Sequence, residues 1–439
     1  MNARALLAAI AVIAAATCSP PAVTAFSADR ALAHVAYLAD PSRGGRLSGS
    51  PQLLEAAGYV ADRFREIGLD PLGDDGTFFE HFRMPLVRMD AMPTLSRVAP
   101  SPKTFRPRID FSAYVSGRAG RGDAEGPITV VGPGDRADFA TTKLAGRIAL
   151  ITGTPNGNPI ELAYQQHAVG VLVVVAHPEV RFSYLPFLEQ DTIPVVQVSP
   201  AGAQELLGRP ATDVRGDVDV RVRVAVPLGP VREVDSVTVV GVLRGADAGE
   251  RARAVMVGGH LDGLGTDPDG EVFPGGNDNA SGVAITIEVA RALAADRGSL
   301  KRSIVFVAFS GEEEGYLGST AYVQQMAAVP GRVQSIVAFL NVDASGCCGD
   351  AIGASAEDAD LQGRVRAAAE RLGLKIAVPA GGSDHQVLSR ARVPAVLVQW
   401  TDPILHTPGD TAVVVDARHL KGTGDVVTTV AKEIATAAP

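Results

Sequence analysis

Cysteine is scarce in this sequence, with 3 cysteines among 439 residues. Cys18 lies near the N-terminus, and the other two, Cys347 and Cys348, are adjacent. A network of disulfides is therefore excluded as the basis of the fold. We expect Cys347 and Cys348 to be two small buried residues in a loop after a strand. A disulfide between them is the alternative, and it requires an unusual geometry.

Positive charge and long apolar segments are also in short supply. The chain carries 40 Lys and Arg against 49 Asp and Glu, a formal net charge of −9. This balance argues against a nucleic-acid partner, because such a protein needs a basic face to neutralise phosphates. Beyond the N-terminal segment, no apolar run is long enough to predict a membrane span. Hydrophobic residues still make up 46% of the chain, enough for a sizeable core.

The N-terminus has the pattern of a secretory signal peptide. Arg4 gives a short positive region, the segment 5–16 is apolar, and small residues up to Ala25 resemble a cleavage site. We therefore predict that residues 1–25 are a signal peptide and that the mature protein is secreted or periplasmic. A lipoprotein attached through Cys18 is the minor alternative, because the residues before it fit a lipobox poorly.

The remaining chain divides into three parts. Residues 26–120 begin with two helical patterns, the second ended by Gly68, and residues 72–120 look irregular. Residues 121–228 contain short apolar runs and predict a smaller β-rich domain. Residues 229–439 alternate between strand and helix patterns, which is typical of a mostly parallel, twisted sheet flanked by helices. The sequence thus predicts an α/β fold with a β-rich insertion.

Ligands bind at the carboxyl ends of the strands in such sheets, so the residues that follow each strand are candidates for a site. The predicted strands are Val237–Leu243, Ala254–Gly258, Ile304–Phe309, Ile336–Leu340 and Ala395–Gln399. The predicted helices are Ala280–Ala294, Leu361–Leu372 and Gly424–Ala437.

Histidine or carboxylate side chains follow four of these strands and open one helix. Each alone is more often structural, as a helix cap or a paired surface histidine. Together they place imidazole and carboxylate groups at one edge of a sheet, a set that suits two zinc ions sharing a carboxylate. The candidates are His260, Asp262, Asp278, Glu312, Glu313, Asp343 and His406.

Four segments resemble the M28 family of metallopeptidases, which includes co-catalytic zinc aminopeptidases. These segments are Gly259–Asp262, Gly276–Gly282, Phe309–Ser319 and His406–Asp410. Residues 121–228 resemble a protease-associated (PA) domain, through segments such as Gly146–Ile151. The resemblance covers nearly the whole mature chain. It implies a zinc-peptidase (phosphorylase/hydrolase-like) catalytic domain over residues 229–439, with an inserted PA domain.

The resemblance also implies a set of metal ligands. One zinc ion would be held by His260, Asp278 and Asp343, and the other by Asp278, Glu313 and His406. The implied cofactors are two Zn²⁺ ions per chain, bridged by Asp278.

Two further residues would assist catalysis by the same resemblance. Glu312 would be the general base that takes a proton from the attacking water, and Asp262 would orient His260. Leu405 is a departure, because family members often have a tyrosine there that donates to the oxyanion. Loss of such a donor can cost about a hundredfold in rate, so another donor or the metals alone would have to act.

These implications favour a secreted zinc aminopeptidase with peptide substrates. A carboxypeptidase or dipeptidase of the same family is the first alternative, but it needs basic groups that bind a substrate carboxylate, and the sequence places no such cluster. A non-catalytic receptor or scaffold is the weaker alternative, since every ligand is present. The PA domain is expected to narrow access and favour short peptides. The segment Ser383–His385 has two interpretations, a capped turn or a loop near the substrate pocket.

Overall fold

The computed structural model describes residues 25–153, 157–176, 181–378 and 381–437. The predicted signal peptide lies outside the described residues, apart from Ala25. The strands are β1 (Asp70–Pro71), β2 (Phe79–Leu86), β3 (Thr94–Ala99), β4 (Lys103–Thr104), β5 (Phe111–Ala119), β6 (Gly122–Gly132), β7 (Ile148–Ile151), β8 (Gly170–Val174), β9 (Ser183–Ile193), β10 (Val195–Val198), β11 (Gly216–Val226), β12 (Arg232–Leu243), β13 (Ala254–His260), β14 (Gly265–Thr266), β15 (Val272–Phe273), β16 (Ser303–Phe309), β17 (Ile336–Val342), β18 (Ile352–Ala356), β19 (Ile376–Ala377) and β20 (Ala395–Trp400). The helices are α1 (Ala28–Leu38), α2 (Pro51–Ile67), α3 (Arg136–Ala140), α4 (Pro159–Gln165), α5 (Pro200–Leu207), α6 (Gly282–Ala294), α7 (Leu317–Ala327), α8 (Ala359–Arg371), α9 (His385–Arg390) and α10 (Ala417–Thr436).

The first sheet carries the predicted α/β architecture. Its strand order is β1-β12-β16-β13-β17-β20-β18-β19, and β2 also pairs with β12. The central strands β16, β13, β17 and β20 are parallel to one another. On either side, β12 and β18 run antiparallel to this centre. The α/β class is therefore confirmed, with the parallel arrangement concentrated in the middle of the sheet, and all five predicted strands are present.

Helices cover both faces of this sheet. Successive residues of β16 enter different cores: Phe306 packs in the core shared with α1, α2, α6, α8 and α10, and Val307 packs in the core on the opposite face. The second core contains Tyr322 of α7 and Leu388 of α9. A strand buried on both faces is expected to be continuously apolar, and this explains the unbroken apolar run in β16.

Capping residues set the ends of α2. The Ser50 side chain accepts a hydrogen bond from Leu53 N, and Pro51 occupies the first turn. The helix ends at Gly68, whose φ of 83° is left-handed, so the predicted stop is confirmed. Of the helices in the described residues, none is both long enough and apolar enough to cross a membrane.

A second sheet is inserted between β2 and β12, with the order β4-β3-β11-β6-β7-β8-β10-β5-β9. Because β2 and β12 are themselves paired, the chain leaves and re-enters the first sheet at adjacent points. The expectation that residues 72–120 are irregular is wrong, since they form β2 to β5. The second sheet thus begins before the predicted boundary at residue 121. Its strand β3 pairs with β11, more than a hundred residues later, and local sequence does not reveal such partners. The assignment of this inserted domain to the PA class stays a prediction.

Cys347 and Cys348 are joined by a disulfide, so the expectation of two unbonded cysteines is wrong. They do lie in the loop after β17, but only Cys347 is buried and Cys348 is exposed, so the expected burial is right for one of the two. Cys348 has a φ of 80°, a left-handed conformation that is uncommon outside glycine. This backbone conformation belongs to the folded loop, so the adjacency of the two cysteines in the sequence could not show whether they form a disulfide.

Glu80 on β2 is a buried carboxyl group that makes stability depend on pH. Burial raises the pKa of Glu80 to about 7, Asp74 adds to this rise and Arg332 opposes it. The ordinary pKa of 4.5 applies in the unfolded chain, so folding is weakened as pH rises from about 4.5 to about 7. We expect Glu80→Gln to raise the free energy of unfolding at pH 8 by on the order of 1 to 3 kcal/mol, and by much less at pH 5. Urea denaturation at both pH values measures this difference. The exposed substitution Glu66→Gln should show no such dependence, and an equal effect of Glu80→Gln at both pH values would contradict the interpretation.

Candidate metal centre

The first group of candidate ligands forms at the carboxyl end of β13. His260 is the last residue of β13, and its Nε2 atom lies 3.0 Å from Asp278 Oδ1 and 3.3 Å from Asp343 Oδ1. Asp343 follows β17, the parallel neighbour of β13. All three side chains are buried. The register of two parallel strands therefore brings a histidine and two carboxylates together.

A second group shares Asp278 with the first. His406 Nε2 lies 3.1 Å from Asp278 Oδ2 and 3.5 Å from Glu313 Oε2. Glu313 follows β16 and His406 follows β20, the two outer strands of the parallel centre. Asp278 thus turns one carboxylate oxygen towards each histidine. The five ligands suggested by the sequence come together as two groups joined by one carboxylate.

The donor atoms and the local charge both suit divalent cations such as zinc. Within each group the ligand atoms lie within 4.8 Å of one another. Imidazole nitrogen and carboxylate oxygen are ligands that zinc accepts. In addition, Asp278, Glu312, Glu313 and Asp343 all line one cavity. Such a concentration of buried carboxylates is stable only when cations or protons balance it.

The directions of the pKa shifts at this site are consistent with a need for positive charge. Burial raises the pKa of Glu312 well above its ordinary value, and Asp343 and Glu313 add to the rise. Burial opposes protonation of His260, but Glu312 and Asp343 raise the pKa of His260 well above its usual range. A pair of divalent ions would supply the same positive charge without protons.

Asp262 lies beside His260 at the end of β13. His260 Nδ1 is 3.2 Å from the Asp262 carbonyl oxygen and 3.6 Å from its Oδ1 atom, so the hydrogen bond involves the backbone. The Asp262 carboxylate accepts hydrogen bonds from Ser48 Oγ and from Glu313 N, each at 3.2 Å. Asp262 therefore connects His260 to the loop that carries Glu313. Its role in orienting His260 through the carboxylate stays a prediction.

Glu312 faces a cavity of about 320 Å³ next to the two ligand groups. Leu405, which precedes His406, lines this cavity and offers no hydrogen-bond donor there. Tyr316 and Gln399 lie in the same lining. The cavity is thus large enough for a small part of a peptide, and its polar contacts come from several loops.

Asp410 is a site residue whose role the sequence did not reveal. It looked like a helix cap, yet its carboxylate accepts hydrogen bonds from Asn277 N at 2.6 Å and from Asp278 N at 2.9 Å. The only signal in the sequence was its place in the segment His406–Asp410. Asp410 therefore holds the backbone of the bridging ligand.

The asparagines on either side of Asp278 fix the same loop to its neighbours. Asn277 donates to Asp402 Oδ2 and accepts from Gly346 N, both at 2.6 Å. Asn279 donates to Val342 O at 2.9 Å. The peptide bond between Asp278 and Asn279 is cis. These contacts tie the bridging ligand to the loops after β17 and β20.

Arg46 is a second residue without a role assigned from the sequence. It belongs to the glycine-rich turn before α2 and is fully buried. Burial lowers the pKa of Arg46, while four carboxylates of the site region oppose that shift. A fixed positive charge therefore lies beneath the acidic cluster. The guanidinium donates to four backbone carbonyls, those of Leu38, Leu261, Pro274 and Gly275.

The segment Ser383–His385 combines features of both interpretations. Ser383 Oγ accepts a hydrogen bond from Asn341 Nδ2 at 2.8 Å, and His385 begins α9. The preceding Gly382 lines the cavity. The segment is therefore a helix start that lies against the site.

Two histidine–carboxylate groups share one carboxylate at the parallel strand ends of a mixed α/β sheet. This arrangement is typical of metal-dependent hydrolases. The sequence profile described as "Peptidase family M28" matches residues 238–431. This matched part contains all four segments, so the resemblance to family M28 that they predicted is confirmed.

Solved structures share the fold over nearly the whole chain. An aminopeptidase from Aneurinibacillus sp. strain AM-1 superposes with a TM-score of 0.76 at 22% identity, covering 95% of this chain and 96% of that one. A zinc aminopeptidase from Bacillus subtilis gives a TM-score of 0.67 at 22% identity, covering 93% and 95%. At such identity the likeness establishes the fold alone.

Curated relatives match more locally. A protein named probable leucine aminopeptidase from Arthroderma benhamiae is 29% identical over 209 residues, which are 44% of this chain and 57% of that protein. Aminopeptidase YwaD from Bacillus subtilis is 30% identical over 177 residues, 35% of this chain and 36% of that protein. The matched part of this chain thus spans 57% of the first relative and 36% of the second.

Asp410→Asn should weaken zinc binding, because an amide cannot accept both backbone N–H groups that Asp410 now holds. We expect the affinity to fall about ten- to a hundredfold, as for other residues that support metal ligands. Competition against a chromophoric chelator measures this affinity. Asp425→Asn on α10 removes a carboxylate outside the site and is the matched control. Wild-type affinity in the Asp410→Asn protein would show that Asp410 does not position Asp278.

Proposed function

We propose that this protein is an exported, zinc-dependent aminopeptidase that removes the N-terminal residue from peptides. The observation that carries the proposal is the carboxylate of Asp278, which faces His260 with one oxygen and His406 with the other. Such a bridged pair of sites beside a free carboxylate suits amide hydrolysis. The M28 match and the names of the relatives support the same activity, and the pattern of residues 1–25 supports secretion or a periplasmic location.

The ligand groups define where two zinc ions would bind. His260, Asp278 and Asp343 would hold one ion, and Asp278, Glu313 and His406 the other. When bound, zinc would supply Lewis-acid chemistry, which polarises a peptide carbonyl and acidifies water.

Glu312 is the residue proposed to move protons. It lines the cavity but belongs to neither of the two groups that share Asp278. Burial raises the pKa of Glu312 well above its ordinary value, the direction that suits proton exchange near neutral pH. Glu312 would take a proton from the attacking water and deliver it to the leaving amine.

The charge of the cavity favours a substrate with a free N-terminus. Four carboxylates line it, and an ammonium group would be attracted to those that metal ions do not fully neutralise. Leu405 provides no oxyanion donor, so such a donor would have to come from other polar residues of the lining, such as Tyr316 or Gln399.

Purified protein should hydrolyse leucine anilide and leave its N-acetylated twin intact. Acetylation removes the ammonium charge that the acidic cavity would bind. Activity should vanish with a chelator and return with zinc. Cleavage of both anilides would contradict an aminopeptidase. No cleavage of either, with two zinc ions still bound per chain, would favour a carboxypeptidase, and an empty site would favour a non-catalytic scaffold.

Glu312→Gln should lower kcat for leucine anilide by about a hundred- to ten-thousandfold, because an amide cannot accept the proton. Glu312 also lies within 4.8 Å of ligand atoms of His260 and Glu313, so zinc content is measured alongside kcat. It should stay at the wild-type level, because neither of the two groups that share Asp278 includes Glu312. Glu55→Gln on the exposed face of α2 is the control for removing one carboxylate. A Glu312→Gln enzyme that keeps more than a third of wild-type kcat would refute the assigned role.

A further inference from the structure

The inserted domain contributes a positive charge to the catalytic cavity. Arg181 precedes β9, and its Nη1 atom lies 2.9 Å from Glu313 Oε2. The Glu313 side chain is 4% exposed and that of Arg181 is 21% exposed, so the guanidinium lies at the boundary between buried site and solvent. Among the described residues that line the cavity, Arg181 is the only lysine or arginine.

Contacts between the inserted domain and the first sheet's loops hold the segment of Arg181 in place. The neighbouring Phe182 ring lies 5.0 Å from the guanidinium carbon of Arg108. Arg108 donates to Asp267 at 2.7 Å and to Asp269 at 2.6 Å, in the turn between β14 and β15. The Arg108 side chain is 15% exposed, so these ion pairs are partly shielded from solvent. The position of Arg181 is therefore built into the fold.

Electrostatics orients a peptide in this cavity. Arg181 lies on the side of Glu313 and His406, because its guanidinium contacts Glu313 Oε2, which is 3.5 Å from His406 Nε2. A substrate ammonium group is repelled there and is attracted instead to the side of Glu312 and Asp343. The leaving part of the peptide, which follows the scissile bond, is thereby directed towards Arg181.

The covalent length of one residue matches this arrangement. A chain advances about 3.3–3.6 Å per residue, so in a dipeptide the free carboxylate is that far from the scissile carbonyl carbon. A guanidinium that binds this carboxylate has to lie one hydrogen bond beyond it, and Arg181 lies beside Glu313 at the edge of the metal centre. Guanidinium forms paired hydrogen bonds with carboxylate, which makes it a selective partner for this group.

We propose that Arg181 binds the free α-carboxylate of the residue after the scissile bond and makes the enzyme selective for dipeptides. This inference rests on the proposed aminopeptidase function and names its substrate class. It also identifies the basic group that a dipeptidase requires. The sequence did not locate this group, because Arg181 precedes a strand of the second sheet, whereas the ligands lie at the first.

The test compares leucyl-alanine, its C-terminal amide, leucyl-alanyl-alanine and leucine anilide. Wild type should show at least a tenfold higher kcat/KM for the dipeptide than for the amide or the tripeptide. Arg181→Met should lower kcat/KM for the dipeptide by about ten- to a hundredfold, mainly through KM, as for a lost hydrogen bond to a charged group. Its kcat/KM for the amide and the anilide should change less than threefold. Arg181→Lys should restore part of the preference, and Arg221→Met on β11 is the control for charge removal in the same domain.

Several outcomes would overturn the proposal. Equal wild-type rates for the dipeptide and its amide would show that no carboxylate is recognised. An equal loss on all four substrates in Arg181→Met would assign Arg181 to the transition state, or to support of the metal centre if zinc content also falls. Cleavage of the anilide without a dipeptide preference would overturn this inference and leave the aminopeptidase intact, whereas no cleavage of any substrate would refute both.

Discussion

The repulsion between carboxylates gathered at one edge of the parallel sheet is the constraint on which this site depends. Asp278, Glu312, Glu313 and Asp343 line one cavity, and removal from water strengthens the repulsion between them. The fold opposes it with a buried cation, Arg46, fixed by four backbone carbonyls. One fixed charge does not balance four carboxylates. Further bound cations would offset the remaining repulsion. The cluster of carboxylates is therefore best explained as a metal centre.

The bridging ligand is held by its neighbours in sequence and by loops distant from it. Asp410 holds the backbone of Asp278, and Asn277 connects the loops after β17 and β20. Asn279 reaches the carbonyl of Val342 at the end of β17. Because these loops follow separate strands of one rigid sheet, the two oxygens of Asp278 are aimed by the sheet itself. A change in any of the loops is therefore transmitted to both ligand groups.

The sequence predicted the parts of this structure whose signals are local. Buried parallel strands such as β13 and β16 are continuous apolar runs, and a ligand placed directly after one is found by inspection. The strands β2 to β5 were not found, because β2, β3 and β5 pair with strands far along the chain and β4 has only 2 residues. Arg46 and Asp410 received no role from the sequence, because their roles depend on carbonyl and amide groups that only the folded backbone brings near. The disulfide between Cys347 and Cys348 was also missed, because the backbone conformation of their loop is not visible in the sequence.

The inserted domain is part of the site because two independent attachments fix it to the catalytic sheet. The first attachment is the pair of strands β2 and β12, between which the domain is inserted. This pair alone would let the inserted domain rotate relative to the first sheet. The second lies at the β14–β15 hairpin, where Arg88 donates to the carbonyls of Leu264 and Thr266 at 2.9 and 2.8 Å and Arg108 binds the acidic turn. Two separated attachments define an orientation. The contact between Arg181 and Glu313, 132 residues apart, is therefore a consequence of how the domains are joined. Arg181 is then positioned through residues such as Arg108 that belong neither to the cavity lining nor to the ligand groups. Substitutions there could change the substrate preference proposed for Arg181 without any change in the ligand set.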